Sequence, residues 1–421
     1  MAWTKGILGR MSACGRNELG STAALLVLLM AASCGEGSSP AASTPAGGQA
    51  NAGAATSEDP GGTAPAGPDV GGHNSTVGGS GSGASAASPS SIGGMAGTGA
   101  AGAAGAEPQS DSQLRIYFVD VEGGASTLIA APNGQIIVVD AGFPGARDAG
   151  RIAKVLQDEL HATTIDYFIT THYHGDHIGG VPTLAGTFPI SRFYDHGATL
   201  EPSRDFDNYV TAAGNKRVTG KPGDKLELGE LKLTFVSSAT EVIDPPLPPG
   251  AANPLCDTST SKSATAGIEN TESLGFLATF GKFKFVDLGD LTWNIEQKLM
   301  CPTNRLGSAD IYQVSHHGQD VSGSPQLVHA LAPTVAVMNN GATKGGAAAT
   351  FDVLEASPGL KDLWSLHNVT ANDAQHNAEA DLTANLAGAD QAYFLMVLVL
   401  ADGSYTITNS RNGTTRTYAS R

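Results

Sequence analysis

Hydrophobic residues after residue 112 fall mostly into short apolar runs that are separated by glycine and polar residues. Runs at 114–119, 126–131, 135–140 and 165–170 have the length and β-branched content of buried strands. The spacing over about 146–160 is typical of an amphipathic helix. Later residues predict further strands at 191–195, 231–237, 274–280, 282–287, 309–315 and 333–338, helices near 292–300, 324–331 and 350–356, and a hairpin of 391–400 and 404–409 around Asp402-Gly403.

The pattern before residue 113 is different and predicts export. Residues 1–33 carry three cationic residues followed by an apolar run at 23–32, which is too short for a transmembrane helix and typical of a signal peptide. The segment that ends in Cys34 resembles a bacterial lipobox, so Cys34 is a predicted lipidation site at the bacterial envelope. Cleavage of an ordinary signal peptide near Ala32 is the alternative.

Residues 34–112 consist mainly of Gly, Ala, Ser, Pro and Thr. Such a segment buries too little apolar surface to offset its ordering entropy, so we expect a disordered linker, lipid-anchored or free. Residues 113–421 are then one folded domain, whose short strands and interspersed helices predict an α/β fold.

The net charge limits the class of substrate, and the cysteines indicate where a disulfide can form. The chain has 24 Lys and Arg against 40 Asp and Glu, a formal net charge of −16, so charge does not favour long nucleic acid as the substrate. Two cysteines, Cys256 and Cys301, lie in the folded part. In an exported protein they are candidates for a disulfide, and two buried free thiols are the alternative.

The candidate chemistry is concentrated directly after the strand at 165–170. Four of the six residues from His172 to His177 are metal-ligand types: His172, His174, Asp176 and His177. Imidazole and carboxylate groups suit zinc and similar divalent ions, and a loop just past a strand end allows them to converge. The sequence therefore predicts a metal site at this strand end.

This cluster matches the HxHxDH signature of the metallo-β-lactamase superfamily, and its flanks resemble one branch of it. That branch is the ComEC-type competence hydrolase domain with its secreted relatives, and the resemblance covers about residues 114–400. Its landmarks occur here in order: DVEGGAS at 120–126, DAG at 140–142, HYHGDHIGG at 172–180, GD at 289–290 and SHHG at 315–318. Two positions depart from the branch: His174 often corresponds to Asp there, and Ala125 replaces the second Asp of the first landmark.

The resemblance implies a four-layer αβ/βα sandwich with a dinuclear centre of two divalent ions, with Zn²⁺ as the favoured metal and Mn²⁺ as the alternative. It implies that His172 and His174 bind the first metal and that Asp176 and His177 bind the second. Further implied ligands are His196 on the first metal, Asp290 as the bridge, and His317 or His316 on the second metal.

The implied activity is hydrolysis by a water that two metals activate, with Asp176 as proton acceptor. The ComEC-type landmarks favour phosphodiesters, in nucleic acid or in a surface polymer. The alternatives are a lactonase or β-lactamase-type hydrolase of C–O or C–N bonds, and a surface-tethered binding module without catalysis. The candidate substrate-binding residues are Asn270, Asn340, Lys344 and His367.

Overall fold

The computed structural model describes residues 112–247, 250–258, 267–387 and 391–421. The predicted signal peptide, the linker up to residue 111 and Cys34 lie outside these ranges. No helix within them combines the length and the apolar character that crossing a membrane requires.

The described part of the chain contains twenty strands. The strands are β1 Gln113–Phe118, β2 Thr127–Ala130, β3 Ile136–Val139, β4 Ile165–Ile169, β5 Ile190–Asp195, β6 Arg217–Thr219, β7 Lys225–Leu228, β8 Leu231–Ser238, β9 Glu241–Val242, β10 Ala251–Ala252, β11 Gly275–Phe280, β12 Phe283–Asp287, β13 Thr303–Asn304, β14 Ile311–Gln313, β15 Val335–Met338, β16 Asp362–His367, β17 Thr383–Asn385, β18 Leu395–Leu400, β19 Ser404–Asn409 and β20 Thr415–Ala419.

Seven α-helices and five short 3₁₀ turns connect the strands in the same ranges. The helices are α1 Ala146–Asp158, α2 Gly175–Ile178, α3 Val181–Thr187, α4 Arg204–Ala213, α5 Trp293–Met300, α6 Pro325–Leu331 and α7 Ala348–Glu355, and the 3₁₀ turns are Gly214–Lys216, Pro254–Thr258, Glu269–Glu272, Ser315–Gly318 and Ala380–Leu382.

Two large mixed sheets form the centre of the fold. The first has the strand order β20-β19-β18-β1-β2-β3-β4-β5-β6, and the second has the order β17-β16-β15-β14-β12-β11-β8-β7, with β9 paired to β8. A core cluster joins the sheets face to face, with ring contacts such as Phe118–Phe285, whose centroids are 5.9 Å apart. Burial of such large apolar side chains supplies the main favourable term in folding.

Helices cover the outer face of each sheet. A second cluster packs α1, α3 and α4 against the first sheet, where Ile152 and Leu156 of α1 are fully buried. A third packs α5, α6 and α7 against the second sheet through residues such as Leu299 and Leu354. The resulting order, helix–sheet–sheet–helix, is the predicted four-layer αβ/βα sandwich.

The polar landmarks collect at one edge of this sandwich. In the second sheet, β12, β14, β15 and β16 are parallel neighbours, so their carboxyl ends lie at the same edge. In the first sheet, β3 and β4 are also parallel. The loops after these strand ends hold the five landmarks except the first, which follows β1. Catalytic and binding groups commonly occupy such strand-end loops.

A disulfide between Cys256 and Cys301 ties the 3₁₀ turn at Pro254–Thr258 to the end of α5, with an S–S distance of 2.06 Å. Of the two alternatives that the sequence left open, the structure therefore has the bonded one.

Candidate metal centre

Four side chains from three loops converge on one point. Asp176 and His177 come from the loop after β4, Asp290 follows β12, and His317 follows β14. One ligand atom from each of the four lies within 4.8 Å of every other. More than a hundred residues separate His177 from Asp290, and His317 lies 27 positions after Asp290, so the fold creates the group.

The separations within this group fit a metal ion. His177 Nε2 and His317 Nε2 are 3.2 Å apart, and each lies 3.4 Å from Asp290 Oδ2. Asp176 Oδ2 is 3.2 Å from His317 Nε2 and 3.6 Å from His177 Nε2. A tetrahedral zinc ion with bonds of about 2.0–2.2 Å has ligand–ligand separations of roughly 3.3–3.6 Å. Three of the five measured separations lie within this range, and the other two, at 3.2 Å, lie just below it.

A second set of donors adjoins the first through Asp290. His172 Nε2 is 3.0 Å from His174 Nδ1 and 3.7 Å from Asp290 Oδ2, while His316 Nε2 is 3.4 Å from the same Oδ2. One carboxylate oxygen thus faces both sets, as a bridging ligand between two ions would. Together with Asp290, these donors could hold the predicted first metal, whereas Asp176, His177, Asp290 and His317 could hold the predicted second one.

Backbone strain brings both histidines of the SHHG landmark to the centre. His316 and His317 have φ values of 55° each, in the left-handed region that non-glycine residues rarely adopt. Such positions cost on the order of 1–3 kcal/mol each and persist only where the surroundings impose them. Gly345 is needed beside them, because a Cβ there would lie 2.1 Å from His317 O. This conformation turns two successive side chains toward Asp290.

Each histidine of the centre has an outer partner that fixes its ring. His177 Nδ1 lies 2.8 Å from Asp140 Oδ2, and His317 Nδ1 lies 3.1 Å from the carbonyl oxygen of Asn339. His174 Nε2 is 3.2 Å from Glu201 Oε2. Such partners orient metal-binding imidazoles and set which nitrogen faces the ion. Comparable contacts join His172 Nδ1 to Thr171 Oγ1 at 3.1 Å and His316 Nδ1 to Ser322 Oγ at 3.2 Å.

The electrostatics of the centre favour ionised acids. Burial alone would raise the pKa of Asp290, but the four surrounding imidazoles hold it well below its ordinary value. Burial would likewise raise the pKa of Asp176, but His177, His317 and Lys344 lower it well below that value. Metal binding needs carboxylates and neutral imidazoles, so the ionised acids suit it.

The pKa values of the imidazoles shift in two directions. Burial lowers the pKa of His172 well below its ordinary value and also lowers that of His316. For His177 and His317, burial acts in the same direction, but the nearby Asp290 and Asp176 carboxylates outweigh it and raise the pKa. In the absence of a metal, the positive charge therefore concentrates beside the two acids.

His196 is held in a different environment from the predicted first-metal ligands. Its Nε2 lies 2.7 Å from Glu269 Oε1, and its ring contacts that of Tyr173 in a tilted arrangement with the centroids 4.2 Å apart. Glu269 also accepts hydrogen bonds from the backbone N–H groups of Tyr173 and Leu200. His196 thus connects the loop after β5 to the metal loop, and its role as a ligand stays a prediction.

The predicted substrate-binding residues have different positions. Lys344 forms an ion pair with Asp176 at the centre, and Asn270 Nδ2 is 3.5 Å from His316 Nε2. The side chain of Asn340 is instead held by the backbone of His367, with Nδ2 donating to the His367 carbonyl at 2.8 Å. That bond positions the loop after β15.

His367 belongs to a buried cluster beside the centre. Its Nε2 lies 2.6 Å from Asp120 Oδ1, and Arg151 Nη1 donates to Asp120 Oδ2 at 3.0 Å and lies 3.6 Å from Glu122 Oε1. The cluster holds the turn after β1 in place. Gly124 of that turn packs so closely on the metal loop that a Cβ there would lie 2.5 Å from Asp176 O.

Sequence reasoning did not assign the outer partners Asp140, Glu201 and Glu269. Asp140 could have been singled out, because it belongs to the DAG landmark. The landmark alone does not show that Asp140 contacts His177. The two glutamates lie in loops without any such pattern, and only the folded chain places them beside histidines.

Comparison with known proteins agrees with this architecture. Residues 119–252 match the family model described as the metallo-beta-lactamase superfamily. This segment of the chain is thus similar to the metallo-beta-lactamase superfamily. The matched segment contains the whole HxHxDH cluster, and the structure adds Asp290, His316 and His317 from beyond it.

Individual relatives match only part of this chain. A UPF0173 metal-dependent hydrolase from Thermodesulfovibrio yellowstonii is 30% identical over 30% of this chain and 47% of its own length. The lactamase-like protein vrtG from Penicillium aethiopicum is 29% identical over 25% of this chain and 34% of its own. The chain thus spans less than half the length of these curated relatives. Among solved structures, the metallo-beta-lactamase fold protein YhfI from Bacillus subtilis matches over 60% of this chain and 96% of its own chain. The sequence identity is 12% and the TM-score is 0.38.

Proposed function

We propose that this protein is a metal-dependent hydrolase with a dinuclear centre. The observation that carries the proposal is the convergence of Asp176, His177, Asp290 and His317, whose measured atom separations match a tetrahedral ion. His172 and His316 also lie near Asp290 Oδ2, and together with His174 they would complete the other metal position.

The residues of the centre have separate roles in this proposal. Two divalent ions bound there, Zn²⁺ as the favoured metal, would supply a water with its pKa lowered toward ~7 and would polarise the substrate. Asp290 Oδ2 would bridge the two positions, because four imidazole nitrogens lie 3.4–3.7 Å from it. Asp176 would be the proton acceptor for the attacking water, because its Oδ2 lies beside His177 and His317 and 14% of its side chain is exposed.

The proposed substrate is a phosphodiester, in nucleic acid or in a phosphodiester-linked surface polymer. The order of the five ComEC-type landmarks supports this class. We also propose that the protein is exported and that Cys34 anchors it to the bacterial envelope. The Cys256–Cys301 disulfide supports export, since such bonds persist mainly in oxidising compartments.

One experiment separates this function from its alternatives. Purified full-length protein is assayed for bound metal and for turnover of a phosphodiester, a lactone and a β-lactam side by side. We expect about two metals per chain, phosphodiester turnover that a chelator abolishes and zinc restores, and loss of turnover in Asp290→Ala.

Asp158→Ala is the matched control, because that carboxylate lies on the exposed face of α1 and pairs with Lys154. Metal with turnover of the lactone or β-lactam alone would refute the substrate class. A protein that binds no metal and cleaves none of the three would refute the hydrolase itself and leave a surface-tethered binding module.

A further inference from the structure

Lys344 lies where a substrate would meet the metal centre. Its ammonium contacts Asp176 Oδ2, the oxygen that also faces His317 and His177. About a third of the side chain is exposed, so solvent reaches it from the open side. The ammonium also lies 5.1 Å from the centroid of the Phe143 ring, which adds a cation–π contact.

The loop that carries Lys344 is fixed on both sides. Gly341 N donates to the Lys344 carbonyl at 2.9 Å, and a Cβ on Gly123 would lie 2.9 Å from Lys344 Cβ. On the other side, Gly346 N donates to the carbonyl of His317 at 2.8 Å. The position of the lysine is therefore coupled to the backbone of a metal ligand and to the turn after β1.

Arg151 is a neighbouring cation that is engaged in structure. Arg151, with 10% of its side chain exposed, is held by the Asp120 and Glu122 carboxylates under the turn after β1. Lys344 differs from it in reaching the ligand atoms and solvent at the same time.

We propose that Lys344 binds an anionic oxygen of the substrate directly beside the metal centre. The substrate class is then one that carries negative charge on the reacting group, as a phosphodiester monoanion does. This inference rests on the proposed hydrolase function and adds the charge that the substrate must have.

The physical reason is competition for one carboxylate oxygen. Once Asp176 Oδ2 is committed to a metal, the ammonium loses its acid partner and is close to additional positive charge. An anionic substrate oxygen then becomes its favourable partner, and three N–H donors are available for it. A neutral ester offers no such compensation, so Lys344 should distinguish substrates by charge.

The test compares the zinc-loaded full-length protein with Lys344→Met. The first readout is the affinity for inorganic phosphate, measured by calorimetry. The second is kcat/KM for bis(p-nitrophenyl) phosphate, an anionic diester, and for diethyl p-nitrophenyl phosphate, a neutral triester with the same leaving group. We expect phosphate affinity and diester kcat/KM to fall about 10- to 100-fold, as for loss of a hydrogen bond to a charged group. Triester kcat/KM should stay within about twofold.

Two controls are needed to attribute these changes to the side chain of Lys344. Lys232→Met removes the same charge from an exposed position on β8 and should change neither readout. Zinc content must be equal in all variants, because loss of zinc in Lys344→Met would show that the lysine only supports Asp176 and would overturn the inference.

The remaining outcomes are equally decisive. Phosphate that binds the wild type and Lys344→Met equally, or binds neither, overturns the inference, as does an equal loss for diester and triester. Phosphate binding that depends on Lys344 in a protein that cleaves no phosphodiester would support the inference and reject the proposed substrate.

Discussion

Replacing Asp140 by Asn tests whether the outer partner of His177 controls the metal centre. Asp140 accepts three hydrogen bonds: from His177 Nδ1 at 2.8 Å, from Thr171 N at 2.9 Å and from the Thr171 hydroxyl at 2.7 Å. The residue has a φ of 56°, a conformation that Asn tolerates as well as Asp, so the backbone should remain intact. The change is then confined to one oxygen that becomes an NH₂ group.

In either orientation, the NH₂ group of the new amide faces another hydrogen-bond donor. With its NH₂ toward His177, the imidazole must move its proton to Nε2, the atom that faces the metal. With its NH₂ toward Thr171, the buried Thr171 N–H loses its acceptor at a cost of about 1–3 kcal/mol. We therefore expect zinc affinity to fall by about 10- to 100-fold, or roughly 1.4–2.8 kcal/mol.

Competition with a chromogenic chelator measures the zinc affinity directly, in the full-length protein. Asp166→Asn is the control, because that carboxylate also accepts a backbone N–H, from Ile136 at 2.8 Å, but lies on β4 away from the ligands. Zinc affinity of Asp140→Asn within twofold of the wild type would refute the role assigned to the outer carboxylate.

Three further predictions concern other parts of the fold. Replacing Cys256 and Cys301 by Ser should lower the free energy of unfolding by about 4 kcal/mol, the chain-entropy value for the 45-residue separation, in urea denaturation; an unchanged midpoint would contradict it. Burial raises the pKa of Glu296 from its ordinary 4.5 to about 7, so its contribution to stability is present below pH 4.5 and is lost as pH rises through 7. Between pH 5 and pH 8, the free energy of unfolding should therefore fall by up to about 3 kcal/mol less in Glu296→Gln than in the wild type. Equal pH profiles of the two proteins would contradict this prediction. Finally, His316→Ala should lose more zinc per chain than His196→Ala by elemental analysis, since His316 faces Asp290 whereas His196 faces Glu269; the opposite order would make His196 the ligand.

The elements that the sequence predicts are those with long apolar runs. The strands β1 to β5, β8, β11, β12, β14 and β15 and the helices α1, α5, α6 and α7 all occur within a few residues of the predicted ranges. The sequence does not predict β6, β7, β9, β10, β13, β16, β17 or β20. Most of them are short, and β7 and β20 expose alternate residues, so their pattern resembles polar loop. Their pairing partners supply the stability that their own residues do not show.

The site divides in a similar way. Candidate ligands that lie close together in sequence could be predicted from residue type and spacing, as at His172 and His177. A distant ligand such as Asp290 required the resemblance, because its approach depends on which strands become neighbours. The contact between Glu201 and His174 could not be predicted, since it depends on how the loop after β5 folds back on the metal loop.

The hydrogen bonds around His177 and His317 also explain why a cation belongs between them. The carbonyl oxygen of Asn339 can only accept, so His317 Nδ1 must carry a proton. His177 Nδ1 faces Asp140 Oδ2 at 2.8 Å, and a carboxylate there imposes the same on His177. In the neutral rings, both Nε2 atoms then present lone pairs to each other across 3.2 Å. Such an arrangement is repulsive unless a proton or a metal ion lies between the nitrogens. The outer partners therefore prepare two imidazoles for one ion before it binds, and the ionised Asp176 and Asp290 supply the charge that holds it.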